Sequence, residues 1–317
     1  MNILITGVAG FIGFNCANFL TKNNIVYGID NFDNFYSPNL KKARIKVLTS
    51  GKNFHFKKID ITNKKKIFNF FKKKKIDLIL HLAAQAGVRY SFKNPDKYTN
   101  TNLFGFLNIV LAAKKNNIKK IIYASSSSVY GENKKFPLRE NEVLSQKNIY
   151  AVTKKLNEDI ADLYQKISNI NFIGLRFFTI FGEWGRPDMF IFKLFNAYKL
   201  KKTLNINNYG NHLRDFTYIG DVVKIINRII KKKNNKHLIF NICSNKPKNI
   251  LNIVKDFKKK YNLKIKLIKQ HKADILKTHG NNYKIKNFTS FKKFSNFNSA
   301  FVKTLKWYSD NKIYKFR

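Results

Sequence analysis

Tyr150 and Lys154 stand four residues apart in the segment Asn148-Ile149-Tyr150-Ala151-Val152-Thr153-Lys154. On a helix that spacing puts both side chains on one face. A phenol with pKa ~10 is a poor base at neutral pH, but a neighbouring ammonium favours the phenolate. The pair can then take a proton from a substrate hydroxyl. Upstream, Ser126 in the run Ser125-Ser126-Ser127-Ser128 offers a hydroxyl that can hydrogen-bond the same group. The spacing alone is common by chance in a chain with 15 tyrosines and 62 basic residues. An exposed aromatic beside a solvated lysine is the plain alternative, and the elements around the pair decide between the two.

The first of those elements is an apolar run meeting three glycines, Asn2-Ile3-Leu4-Ile5-Thr6-Gly7-Val8-Ala9-Gly10-Phe11-Ile12-Gly13. An amphipathic helix follows, and then a second apolar run, Ile25-Val26-Tyr27-Gly28-Ile29, ending in Asp30. Strand, glycine turn, helix, strand and acid together make a dinucleotide site. Gly7, Gly10 and Gly13, with Phe11 and Ile12 between them, let the backbone approach a pyrophosphate. The phosphate charge suits the N–H groups and dipole at the helix start. Asp30 can accept hydrogen bonds from an adenosine ribose. A carboxylate there repels a 2′-phosphate, so NAD is expected rather than NADP. The spacing is GxxGxxG, and a plain glycine-rich turn is the weaker alternative.

Alternation continues down the chain. Residues 40–49 read as a basic helix. Phe54–Ile59 is a strand running into Asp60-Ile61, which can meet the adenine edge, and Asn63 caps a helix through Phe71. Ile76–Leu82 is a fourth buried strand, and the small residues Ala83 and Ala84 after Leu82 let backbone pass close to a cofactor. Residues 97–116 read as one long helix carrying Asn102. Lys119–Ala124 is a fifth strand, residues 148–167 form the helix of Tyr150 and Lys154, and Asn171–Phe178 is a sixth strand. This pattern implies an α/β fold, a doubly wound parallel sheet of Rossmann type over residues 1–178. Ligands in such sheets sit beyond the carboxyl ends of the strands. The glycine turn, Asp30, Asp60, the alanines, the serines and Phe177–Gly182 all fall there. Beyond residue 180 the alternation becomes irregular. Residues 179–317 read as a smaller, mainly substrate-binding lobe, with some segments returning to the sheet.

The 317 residues carry a net charge of +44, with 62 Lys and Arg against 18 Asp and Glu. That balance invites a polyanion-binding role. Only eight of the 62 are arginines, however, and the lysines fall in runs such as Lys64–Lys66, Lys72–Lys75, Lys231–Lys233 and Lys258–Lys260. Compositional drift on solvated faces produces such runs, and no specific nucleic acid partner is expected. The arginines that persist against the drift are informative, among them Arg89, Arg176, Arg186 and Arg214. No uncharged apolar run is long enough to span a membrane, and residues 1–13 read as a strand rather than a signal peptide. Cys16 and Cys243 have no CxxC partner and read as reduced thiols of a cytoplasmic protein. No metal site is expected.

Taken together, the glycine turn, Asp30, Asp60-Ile61, Leu82-Ala83-Ala84, Ser125–Gly131 and Tyr150-x-x-x-Lys154 resemble the extended short-chain dehydrogenase/reductase family, and within it the nucleotide-sugar 4-epimerases. Ala84–Ser91, Leu175–Gly182, Trp184–Met189 and Arg214–Tyr218 resemble segments of UDP-glucuronate 4-epimerases. The likeness thins beyond about residue 230. It implies a resident NAD, reduced and reoxidised within one turnover. Tyr150 is then the base at the C4 hydroxyl, helped by Ser126, with Lys154 and Asn102 near the nicotinamide ribose. Ser127, Ser128 and Thr179 would meet the UDP-sugar, and Arg214 its diphosphate. A uronic acid needs a carboxylate partner, which suits the bidentate fork of arginine. Arg186 and then Arg89 are the candidates, with a loop ion pair from Arg186 to Asp188 or Glu183 as the plain alternative. Arg176, inside a strand, reads as structural. The family's glycine-aspartate pair is Ala273-Asp274 here, and no arginine lies between Arg228 and Arg317. A second diphosphate contact therefore falls to a lysine or His271. A 4,6-dehydratase places Asp-Glu where Ser127-Ser128 stand, which disfavours dehydration. A UDP-glucose 4-epimerase, which has no need of Arg186, and a basic binding protein that has lost catalysis are the rivals. The resemblance also implies a homodimer through the helices near 97–116 and 148–167.

Overall fold

The computed structural model describes residues 1–270 and 274–316. Its first part alternates β1 (Asn2–Thr6), α1 (Phe11–Leu20), β2 (Ile25–Asp30), α2 (Pro38–Thr49), β3 (Phe54–Lys58), α3 (Lys64–Lys72) and β4 (Leu78–His81). Two single-turn helices, α4 (Val88–Ser91) and α5 (Pro95–Tyr98), precede α6 (Gly105–Lys115), β5 (Lys120–Ser126), α7 (Ile149–Ile167) and β6 (Asn171–Phe177). The second part comprises β7 (Thr179–Phe181), α8 (Phe190–Lys199), β8 (Leu204–Asn207), β9 (Leu213–Tyr218), α9 (Ile219–Lys231), β10 (Leu238–Ile242) and β11 (Pro247–Asn249). After these come α10 (Ile250–Lys260), β12 (Ile265–Ile268), α11 (Tyr283–Thr289) and α12 (Phe297–Asp310).

Seven strands make one parallel sheet in the order β10-β6-β5-β4-β1-β2-β3. The apolar run of β1 explains its central place. Ile3 and Ile5 face one core with α1 and α9, while Leu4 faces the opposite core with α3 and α6. A strand covered on both sides must be apolar on both sides. On α3, Ile67, Phe70 and Phe71 share the buried face, and Asn63 caps the helix by accepting from Lys66 N. The lysine runs 64–66, 72–75, 231–233 and 258–260 are all solvent-exposed.

Strand order reverses between β1 and β4, and that crevice is where the sheet opens for a ligand. The smaller lobe holds a three-stranded sheet, β11-β9-β7, and a parallel pair, β12-β8. An aromatic core of Phe192, Phe195, Phe257 and Tyr308 packs beneath α8, α10 and α12. β10 returns to the main sheet beside β6. Residues 280–300, irregular by sequence, fold as α11 and a loop that bury Ile285 and Phe291 in the main core. The expected single helix over 97–116 is instead α5, a π-helical turn at Thr99–Phe104, and α6. Among the described residues, no helix is long and apolar enough to cross a membrane.

Candidate active site

The glycine turn closes against the next strand end. Gly7 has φ +69°, and a Cβ on it would lie 2.7 Å from the Ala83 backbone. A Cβ on Gly13 would lie 2.3 Å from the Gly7 carbonyl oxygen. Only hydrogen fits at both, so backbone rather than side chain lines the crevice. Ala83 N–H donates to Thr6 Oγ1 at 3.1 Å, which bonds His81 Nδ1 at 2.9 Å and ties the ends of β1 and β4 together. Asp30 ends β2. Its carboxylate accepts from Ala9 N at 3.1 Å and Phe32 N at 2.8 Å, which fixes it beside the turn. Asp60 accepts from Asn31 Nδ2, Thr62 N and Thr62 Oγ1. Burial pushes the Asp60 pKa up, but these hydrogen bonds outweigh it and the carboxylate stays ionised. Small glycines, a fixed acid after β2 and a second acid after β3 fit a dinucleotide with an unphosphorylated adenosine ribose.

Asn102 lies on the π-helical turn, and its side chain is fully engaged with protein. Its Oδ1 accepts from Gln85 N at 2.8 Å, and its Nδ2 donates to Gln85 O at 3.1 Å and Thr153 Oγ1 at 3.0 Å. The wider turn aims this side chain inward, where it braces the loop after β4 against α7. In this structure Asn102 therefore makes its side-chain hydrogen bonds to the loop after β4 and to α7.

Asn148 caps α7 by accepting from Ala151 N at 2.9 Å. That cap starts the helix immediately before Tyr150 and puts Lys154 one turn along the same face. The Tyr150 ring packs edge-on to Tyr98 at 6.1 Å. Burial raises its phenol pKa, opposed by a hydrogen bond from Ser126 and by the Arg186 cation. Lys154 is buried and donates from Nζ to Ala124 O at 2.8 Å. Its pKa falls to about 7, driven by burial and opposed by Glu158. Ser126 ends β5 and caps a short 3-10 turn, accepting from Ser128 N and donating to Ser128 Oγ, both at 3.1 Å. Tyr150, Lys154 and the serines thus converge at the carboxyl edge of the sheet.

The arginines divide into two groups around this point. Arg186 forks onto Asp188, with Nε to Oδ1 at 3.0 Å and Nη2 to Oδ2 at 2.6 Å. The loop pair with Asp188 is therefore what forms in this structure. Arg186 still acts electrostatically on Tyr150, and it lines one hollow with Thr179, Met189 and Phe216. Arg89 forks onto Asp274 at 3.0 and 2.7 Å. Arg214 donates to Leu213 O and Leu276 O. Its pKa falls to about 10 through burial, with Asp274 opposing and Arg89 assisting. Arg89, Arg214 and Asp274 thus form a second cluster. His271, Lys272 and Ala273 lie outside the described residues. Arg176, expected to be structural, makes a buried pair with Glu158 at 2.8 Å.

Sequence reasoning missed Arg44. It is 0 % exposed. Nη1 donates to Ala9 O at 2.8 Å and Tyr36 OH at 2.7 Å, and Nη2 donates to Trp184 O at 2.6 Å. It joins the glycine turn to the loop that carries Arg186. A signal was present: Leu40, Arg44 and Leu48 share one face of α2 at four-residue spacing, and arginine is scarce in this chain.

Comparison with known proteins gives the same outline. The family model described as "NAD dependent epimerase/dehydratase family" matches residues 3–243. An uncharacterised protein of Methanocaldococcus jannaschii is 41% identical, over 100% of this chain and 98% of that one. UDP-glucuronate 4-epimerase 4 of Arabidopsis thaliana is 35% identical, over 97% of this chain and 75% of that one. The crystal structure of UDP-glucuronic acid 4-epimerase from Bacillus cereus, in complex with UDP-glucuronic acid and NAD, superposes with a TM-score of 0.92 at 30% identity. It covers 98% of this chain and 100% of that one. The glycine turn, the acid that ends β2, the buried tyrosine-lysine pair and the family match agree, and the chain belongs to the NAD dependent epimerase/dehydratase family.

Proposed function

We propose that this protein converts UDP-glucuronate to UDP-galacturonate by inverting C4. At the coarser level it is an NAD-dependent nucleotide-sugar 4-epimerase. The observation that carries the uronate assignment is Arg186. It holds a carboxylate, that of Asp188, in a two-point fork and acts on Tyr150 across the same site. Its Nη1 donates to no protein group among the described residues. A guanidinium so arranged suits a sugar carboxylate beside the reacting carbon.

NAD held by Gly7–Gly13, Asp30, Asp60-Ile61 and Leu82–Ala84 supplies a hydride acceptor and donor for C4. The chain's own residues do the rest. Tyr150 Oη takes the C4 hydroxyl proton and returns it. The Lys154 ammonium favours the phenolate that this requires, and Ser126 hydrogen-bonds the reacting oxygen. Ser127, Ser128 and Thr179 hold the sugar and leave it room to present either face. Arg214 takes the diphosphate, and Arg89 stands by it through Asp274.

The protein also acts as a homodimer in this proposal. Ile149, Val152, Leu156, Leu163 and Ile167 are exposed apolar residues along α7, and Phe104 is exposed at the end of the π-helical turn that leads into α6. A stripe of that length on two neighbouring helices favours a partner.

The test incubates the NAD-containing protein separately with UDP-glucuronate and UDP-glucose and looks for the C4 epimer of each. Product from UDP-glucose alone would sink the substrate assignment. A Tyr150→Phe protein with undiminished turnover would sink the mechanism.

A further inference from the structure

Behind Tyr150 and Lys154 lies a buried polar network that the proposed reaction leaves unused. Glu158 sits one turn beyond Lys154 on α7 and is 3 % exposed. Its Oε1 accepts from Ser125 Oγ at 2.6 Å and Arg176 Nε at 2.9 Å, and its Oε2 accepts from Arg176 Nη2 at 2.8 Å. Arg176 also donates to Tyr130 OH at 2.9 Å and Glu140 O at 3.0 Å. Two contacts from α7 therefore grip consecutive residues of β5, Lys154 to Ala124 O and Glu158 to Ser125 Oγ. The next residue is Ser126, hydrogen-bond partner of Tyr150.

A buried ion pair is a poor way merely to glue a helix to a sheet, because apolar residues of the same volume do it as well or better. This pair does something that apolar residues cannot: it puts an anion beside the Lys154 site. The other titratable groups facing Lys154 do not supply one. His81 on β4 is kept neutral, its pKa driven down to about 3 by burial and by Lys154. The Tyr150 phenol, on the same helix, is raised by burial. Arg176, on β6, brings positive charge, which Glu158 neutralises in a two-point fork.

We propose that Glu158, gripped by Ser125 and Arg176, is a positioning residue of the reaction: it holds Lys154 as the ammonium beside Tyr150 and fixes the strand end that carries Ser126. The assignment rests on the epimerase function proposed above. Burial already brings the Lys154 pKa to about 7 against the opposing charge of Glu158. Loss of that charge lowers it further, so Lys154 becomes neutral at a pH where the wild-type site still works.

The test measures kcat and KM against pH for holo-enzyme of wild type and Glu158→Gln, with UDP-glucuronate and UDP-glucose. The alkaline limb of kcat is expected to move down by about one to two pH units, the scale of one close charge in a protein interior. KM is expected to change by less than about threefold, since a glutamine can still accept from Ser125 Oγ and keep the strand end of Ser126 in place. A Glu158→Gln profile that differs from wild type only in height overturns the proposal. Glu158→Gln leaves the Arg176 guanidinium buried without its counter-ion, so Glu158→Gln/Arg176→Gln is measured beside it. The double variant is expected to melt closer to wild type and to keep the shifted limb. A double variant with the wild-type limb also overturns the proposal. If wild-type protein turns over neither sugar, the epimerase function fails. The Lys154 titration is then followed directly, by NMR of isotope-labelled lysine against Lys154→Met. A Lys154 titration at unchanged pH in Glu158→Gln overturns the proposal there too.

Discussion

Replacing Lys154 with methionine is expected to stabilise the protein near neutral pH while removing turnover. Lys154 is 2 % exposed, and burial brings its pKa from 10.5 to about 7. A depressed pKa means that folding favours the neutral amine. The contribution of Lys154 to stability is most favourable above pH 10.5 and is lost as pH falls, the loss being complete below about 7. At ~1.4 kcal/mol per unit, the gap of about 3.5 units costs about 5 kcal/mol at pH 6, about 3 at pH 8 and about 1 at pH 10. Methionine fills similar space and carries no charge, but it leaves the Ala124 carbonyl unpaired, at ~1–3 kcal/mol. The expected net gain is ~2–4 kcal/mol at pH 6 and nothing, or a slight loss, at pH 10. For a chain of this size the gain at pH 6 corresponds to a rise in Tm of roughly 3–6 °C. Urea unfolding of both proteins at pH 6, 8 and 10, with NAD content matched, measures it. A variant no more stable than wild type at pH 6, or a gap that stays constant up to pH 10, refutes the desolvation of Lys154. Turnover is expected to fall by ~10²–10⁴-fold, because Tyr150 loses the ammonium that favours its phenolate.

Gly13→Ala puts a methyl 2.3 Å from the Gly7 carbonyl oxygen, so the turn must open; the purified protein should release much less NAD on denaturation, and an unchanged NAD content counts against the crevice as the cofactor site. Arg186→Gln should raise KM for UDP-glucuronate by ~10-fold or more, the scale of a lost charge-assisted hydrogen bond, while KM for UDP-glucose stays within about threefold; equal effects on both sugars in steady-state kinetics remove Arg186 from carboxylate recognition. Leu163→Glu places a charge in the exposed apolar stripe of α7 and should leave a monomer in sedimentation velocity; an unchanged dimer moves the interface elsewhere.

The parts of the site that were legible in the sequence are those whose residues lie close together along the chain. The turn Gly7–Gly13, Asp30 after β2, and the Tyr150–Lys154 spacing are local patterns, and period and glycine placement suffice to place them on strand, turn and helix. The other features depend on partners far away in sequence. Arg89 and Asp274 meet across 185 positions, and nothing near either residue announces the other. The π-helical turn at Thr99–Phe104 arises because Asn102 is drawn between Gln85 and Thr153, a tertiary demand invisible to helical periodicity. Glu158 stands in the helical sequence among Lys155, Asn157 and Asp159 with nothing local to mark it, and its burial depends on Ser125 and Arg176 from two strands. Residues 280–300 carry little pattern, yet Ile285 and Phe291 have places in the core because α9 and β10 supply the other walls.

The return of β10 to the edge of the main sheet has a consequence for biosynthesis. Asn241 on that strand accepts from the Tyr130 hydroxyl at 2.7 Å, and its own N–H donates to Glu140 Oε1 at 2.8 Å. Tyr130 and Glu140 belong to the connection that follows the serine-bearing strand, and both also meet Arg176. A growing chain exposes all of these residues to the ribosome's surroundings long before Asn241 emerges. Until it does, β6 is a bare edge, its N–H and C=O row open to any other strand. The nascent protein therefore passes through a stage in which the first six strands are made but the β6 edge is unsealed and open to mispairing.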